Sequence, residues 1–171
     1  MRTIYLILAC LAFALETSAQ RPEKCVLSNS GCAAYFLCKP PVVHNKTADS
    51  SDMYTAECTA GKFTYGLICV KLKKQIRNLD KSEETLMSYL DFVKTQTNIT
   101  KSTGYGKGQR LKNSEKTRGV VDYWQDADNN YWKVMGWTNG KYIVCMYAHA
   151  DKFIEDNGVD VFLNSLVLPG T

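Results

Sequence analysis

Histidine is scarce in this chain: His44 and His149 are the only two among 171 residues. A serine or cysteine nucleophile needs a base beside it, and the base needs an orienting carboxylate. The two histidines lie in unrelated segments, and no G-x-S-x-G elbow occurs. Close cysteine pairs of the C-x-x-C type are missing, which argues against a cysteine-bound metal. After one apolar run near the N-terminus there is no second that could span a bilayer, so no stable membrane insertion is expected. An excess of one charge is lacking too. Lys and Arg number 21 against 17 Asp and Glu, a net +4, with one small cluster at Lys71, Lys73, Lys74 and Arg77. Such a cluster reads as a solvated face rather than a phosphate-binding stripe, so no nucleic acid is expected. There is no internal repeat and no low-complexity tract.

What is present begins with a targeting pattern. Arg2 supplies a positive start, Ile4–Leu15 an apolar run, and Thr17-Ser18-Ala19 small residues before a cut expected at Ala19–Gln20. Residues 1–19 therefore read as a signal peptide for a secreted or periplasmic protein. Leu8-Ala9-Cys10 also resembles a lipobox, so a lipid-anchored form through Cys10 is the lesser alternative. Six cysteines follow, Cys25, Cys32, Cys38, Cys58, Cys69 and Cys145. An even set in an exported domain predicts three disulfides whose pairing the sequence leaves open. Asn45-Lys46-Thr47 and Asn98-Ile99-Thr100 are glycosylation sequons, relevant only in a eukaryotic source.

Along the chain, strands are predicted at Tyr35–Lys39, Met53–Thr59 and Phe63–Leu72. A helix follows, with Asp80 as N-cap, Glu83 completing a capping box, and Leu86, Tyr89, Leu90 and Val93 as the apolar stripe. Gly104-Tyr105-Gly106-Lys107-Gly108 reads as a connector, because a phosphate-binding glycine loop needs a strand before it and a helix after it. Three antiparallel strands are predicted at Gly119–Gln125, Tyr131–Trp137 and Lys141–His149, the last apolar on both faces and therefore central. A final helix over Val159–Val167 buries Val159, Phe162, Leu163 and Leu166.

Asp126-x-Asp128-x-Asn130 opens like a calcium loop, but Tyr131 and Trp137 stand where the loop needs glycine and glutamate, so no metal is expected. No cofactor motif survives. The densest chemistry is aromatic. Tyr123-Trp124 and Tyr131-Trp132 are adjacent pairs on neighbouring predicted strands, so one member of each faces out. With Trp137 these are the candidate ligand or partner contacts. Cross-strand packing is the alternative use of the same residues.

Arg118-Gly119-Val120-Val121-Asp122-Tyr123-Trp124, Val134–Tyr142 (VMGWTNGKY) and Val161-Phe162-Leu163-Asn164-Ser165-Leu166 resemble the C-terminal half of exported bacterial proteins with the PsbP-like fold. Leu166 stands where those proteins carry a phenylalanine. The resemblance spans about residues 60–168. It implies an α+β protein, an α/β/α sandwich around a central antiparallel sheet, with members acting as binding or assembly factors. The expected organisation is a signal peptide at 1–19, a cysteine-rich extension at 20–58 and the PsbP-like domain at 59–171, extension and domain forming one compact unit. The leading functional expectation is an exported, non-catalytic binding or accessory protein whose partner is a protein or cell-surface polymer. The alternative is a small exported hydrolase using Asp122 with His149.

Overall fold

Strand β10 (Tyr142–Ala150) organises the molecule, and its sequence explains why. Tyr142, Val144, Met146 and Ala148 face one apolar core; Ile143, Cys145 and Tyr147 face another. A strand buried on both faces belongs in the middle of a sheet. The computed structural model describes residues 21–152 and 156–170, apart from the side chain of Asn113. In it β10 pairs with β5 (Phe63–Lys71) on one side and β9 (Tyr131–Thr138) on the other. The sheet continues outward through β4 (Asp52–Ala60) to β3 (Val42–Lys46), and through β8 (Arg118–Asp126) to β6 (Ile99–Ser102). β7 (Gly106–Gln109) also pairs with β8, so the segment read as a connector adds a short edge strand. All pairings are antiparallel.

Helix α1 (Leu79–Gln96) covers one face through Leu86, Leu90 and Val93. It sits close because Gly136 of β9 has no side chain: a Cβ there would meet Leu90 Cδ1 at 2.8 Å. The N-cap is Asn78, whose Oδ1 accepts the Lys81 N–H at 2.9 Å. Asp80, expected to cap, lies inside the first turn, where its charge favours the helix dipole. The other face is covered by α2 (Asn157–Leu163) and the hairpin of β1 (Glu23–Val26) with β2 (Ala33–Phe36). α2 ends four residues earlier than expected. Val167 instead exchanges both backbone hydrogen bonds with Ala33, at 2.7 and 3.1 Å, drawing residues 164–168 out beside β2.

The protein is thus α+β with the sheet dominant: one long helix on one face, a seven-residue helix and a hairpin on the other. β4 spans residue 58, so the boundary expected there runs through a strand hydrogen-bonded to β5 along its length. Residues 1–19, with the expected signal peptide and Cys10, lie outside the described residues. Among the described residues no helix is long and apolar enough to cross a membrane.

Candidate functional site

β8 and β9 carry the aromatic pairs, and their register sorts them. Trp124 lies opposite Trp132, and both face α1. Their rings are 6.5 Å apart, and Trp132 stacks on His149 at 4.2 Å. Each indole N–H is spent on a carboxylate: Trp124 Nε1 donates to Asp122 Oδ2 at 2.7 Å and Trp132 Nε1 to Asp126 Oδ2 at 2.9 Å. Trp137 packs in the opposite core, against the bare backbone of Gly119. Trp124, Trp132 and Trp137 are 2%, 8% and 2% exposed. All three are therefore part of the core, and the contact expected of whichever aromatics point outward falls to the tyrosines. The outward members are Tyr123 and Tyr131, each 37% exposed. Tyr123 lies opposite Lys133, whose Nζ sits 5.7 Å from the Tyr123 ring and 2.5 Å from Asp160 Oδ1 of α2. Tyr131, Lys133 and Tyr123 therefore line one patch on the α2 side of the sheet, joined to that helix through Asp160.

The Asp122 carboxylate, with no exposed side-chain surface, is held by five donors. Ser102 Oγ, Thr103 Oγ1, Trp124 Nε1, the Tyr123 N–H and Lys94 Nζ lie 2.7, 3.0, 2.7, 2.8 and 3.0 Å away. Burial alone would raise its pKa; the hydrogen bonds and the Lys94 charge outweigh it and hold the carboxyl below its usual range. Lys94 is itself caged, 4.1 Å from the Tyr105 ring and 5.4 Å from Trp124. His149 stands two strands away on β10, across Trp132 and Val134, roughly 10 Å by strand spacing. Burial pushes its pKa down against the charges of Glu57 and Asp126. Asp122 and His149 are not within proton-transfer reach of each other.

Asp126 closes the β8–β9 turn, accepting from the N–H groups of Asp128 and Asn130, from Asn130 Nδ2 and from Trp132. Among the described residues no three His, Cys, Asp or Glu side chains gather to hold a metal. Cys38 and Cys58 form a disulfide. The three expected bonds are otherwise not made: Cys25, Cys32, Cys69 and Cys145 are thiols. Cys69 Sγ donates to Cys32 Sγ at 3.2 Å, while Cys145 lies on the opposite face of the sheet, its thiol raised to about 12 by burial. Both sequon asparagines are exposed.

Sequence reasoning missed one apolar groove. Beside α1 a groove of about 580 Å³ opens over Met53, Val70, Leu72 and Ile143, with Tyr89 and Phe92 as its helical wall. Phe92 is 56% exposed. It lies just off the buried stripe of Leu86, Leu90 and Val93, an apolar side chain that the stripe does not account for. No family model, curated protein or solved structure matches this chain.

Proposed function

We propose that this chain is an exported, non-catalytic binding or accessory protein of the PsbP-like fold, whose partner is another protein or a cell-surface polymer. The observation that carries this reading is the pair of exposed tyrosines, Tyr123 and Tyr131, flanking part-buried Lys133 on the α2 side of the sheet. Tyrosines present large rigid contact area with a polar tip at low entropic cost, and a neighbouring lysine adds charge for orientation. The Cys38–Cys58 bond fits an oxidising compartment. The antiparallel sheet with a helix on each face is consistent with the broad α+β class, and the dominance of the sheet sits loosely with a PsbP-like sandwich.

The test is a cross-linked pull-down from the native source with the wild type and a Tyr123→Ala/Tyr131→Ala variant. Wild type should retain a reproducible protein or glycan that the variant loses, with Tm within about 3 °C, as for surface substitutions. Equal capture by both would remove the patch from the contact. A second reading, a carrier of a small apolar ligand, is favoured by the groove beside Phe92, whose volume falls in the range of ligand sites. Saturable binding of an apolar fluorophore, abolished in Phe92→Lys, would support it.

A further inference from the structure

The loop between β5 and α1, residues 72–78, is pinned against the β9–β10 turn. Leu72 donates to the Lys141 carbonyl at 2.9 Å and Ile76 to the Gly140 carbonyl at 2.8 Å. Three clefts open around it. The first, about 460 Å³, is lined by Lys46, Lys71 and Lys73 and shares Lys141 with the second. The second, about 580 Å³, adds Arg77 and Lys116. The third, about 440 Å³, shares Gln75 and Arg77 with the second and adds Lys74 and Lys81. Shared lining residues, Lys141 between the first two and Gln75 with Arg77 between the last two, set the three clefts side by side as one track of cationic wall.

Eight cations line this track, drawn from five separate stretches of sequence. Asp52, which pairs with Lys46 at 2.6 Å, is the one carboxylate lining it among the described residues. The other seven cations form no ion pair among the described residues. Lys141 Nζ instead donates to the Leu72 carbonyl at 2.6 Å. The track carries seven more positive than negative charges, whereas the whole chain carries +4, so the remainder is net acidic. Gathering unpaired like charges at one end is self-repulsive, and an anionic ligand relieves it.

We propose that this end of the molecule binds an acidic polysaccharide, a chain of sulfated or carboxylated sugars lying along the three clefts. Three joined clefts suit a polymer with repeated anions better than one small anion. A single-stranded nucleic acid would need exposed rings for its bases to stack on. The one aromatic lining the track, Tyr142, is 5% exposed and spends its hydroxyl on the Ser30 carbonyl. A membrane would need apolar anchors beside the charges, and none of the exposed large hydrophobic residues lines the track. The exposed Gln75 amide and the Ser50 hydroxyl offer hydrogen bonds to sugar hydroxyls. The track lies at the Thr138–Lys141 end of β9, away from Tyr131 at the other end, so it goes beyond the tyrosine patch and stands without it.

The experiment is titration of the purified, disulfide-intact chain at 50 and 300 mM NaCl. The probes are heparin-derived oligosaccharides, polygalacturonate, neutral dextran, a thymidine oligonucleotide, an acidic peptide and anionic phospholipid vesicles. Binding to either acidic polysaccharide but not dextran is expected, weakening at least about tenfold between the two salt concentrations, as charge-dominated polyanion binding does. Lys73→Gln/Arg77→Gln/Lys116→Gln should weaken it a further tenfold or more, about 1.4 kcal/mol, with Tm unchanged because all three side chains are exposed. Tyr123→Ala/Tyr131→Ala should bind the polysaccharide like wild type, which separates failure of this track from failure of the tyrosine patch. Absence of binding to both acidic polysaccharides, equal binding to dextran, unchanged affinity in the triple variant, or tighter binding of the oligonucleotide, peptide or vesicles would each overturn the proposal.

Discussion

Among the described residues Asp122 and Lys94 form the most protected ion pair, with side-chain exposures of 0% and 17%. Removing one member of such a pair strands the other, so Asp122→Ala should cost about 3–5 kcal/mol in denaturant unfolding. An unchanged midpoint would show that Lys94 re-pairs, with Asp91 as its nearest alternative at 3.5 Å. His149 gives a second prediction. Its folded pKa lies below its unfolded value near 6.5, so the unfolded chain binds more protons in that window. Stability is therefore full above about pH 6.5 and falls as pH drops through that value toward the folded pKa. His149→Phe keeps a ring on Trp132 and should flatten Tm between pH 7 and 5. The Asp122 carboxyl, held low, loses its contribution only at more acid pH and leaves that window clear. Among the thiols, Cys32 and Cys69 are in contact, and the Cys69 hydrogen bond lowers the Cys32 pKa. Under an added disulfide oxidant, which takes up their two electrons and protons, peptide mapping should find Cys32 joined to Cys69 and Cys145 unreacted.

Among the elements, β10 and α1 were legible because periodicity is a local property. Alternation on two apolar faces requires a central strand, and Leu86, Leu90 and Val93 recur at helical spacing and are buried. Ends were less legible because they depend on side chains reaching a few residues away. Asn78 takes the cap from Asp80, and Ala33 ends α2 by pairing with Val167. The Asn139-Gly140 turn was readable as a turn, but its second role was not. Gly140 has φ +80°, and a Cβ there would lie 2.1 Å from the Ile76 carbonyl oxygen. Gly140→Ala should cost about 2–3 kcal/mol, combining unfavourable φ with overpacking. It should also displace the 72–78 loop, so heat denaturation and polysaccharide titration should move together. A stable variant with intact binding would mean the loop is held elsewhere.

At the scale of the described molecule, two of its candidate surfaces lie at opposite ends of the sheet. The tyrosine patch lies toward one end of β9 and the cationic track beyond the other. The buried tryptophans serve neither; Trp124→Ala or Trp132→Ala should lower stability by about 3–5 kcal/mol, as large-to-small core changes do. A Tm unchanged in either variant would contradict that placement. The Cys38–Cys58 bond closes a separation of 20 residues and ties the end of β2 to β4. In the loop-entropy account its reduction should cost about 3 kcal/mol, readable as a lower unfolding midpoint in reductant.

The chain alone specified the strands, the long helix, the centrality of β10 and the rule that one of each adjacent aromatic pair faces outward, all consequences of spacing along a few residues. Which member faces out depended on which face α1 and α2 covered, and that is a matter of packing between distant segments. The same holds for the sulfurs that meet and for Asp122 and His149 falling two strands apart. Clearest of all is the cationic track: Lys46, Lys71, Lys116 and Lys141 are far apart in sequence, and only the antiparallel pairing of their strands and loops brings their charges to one end.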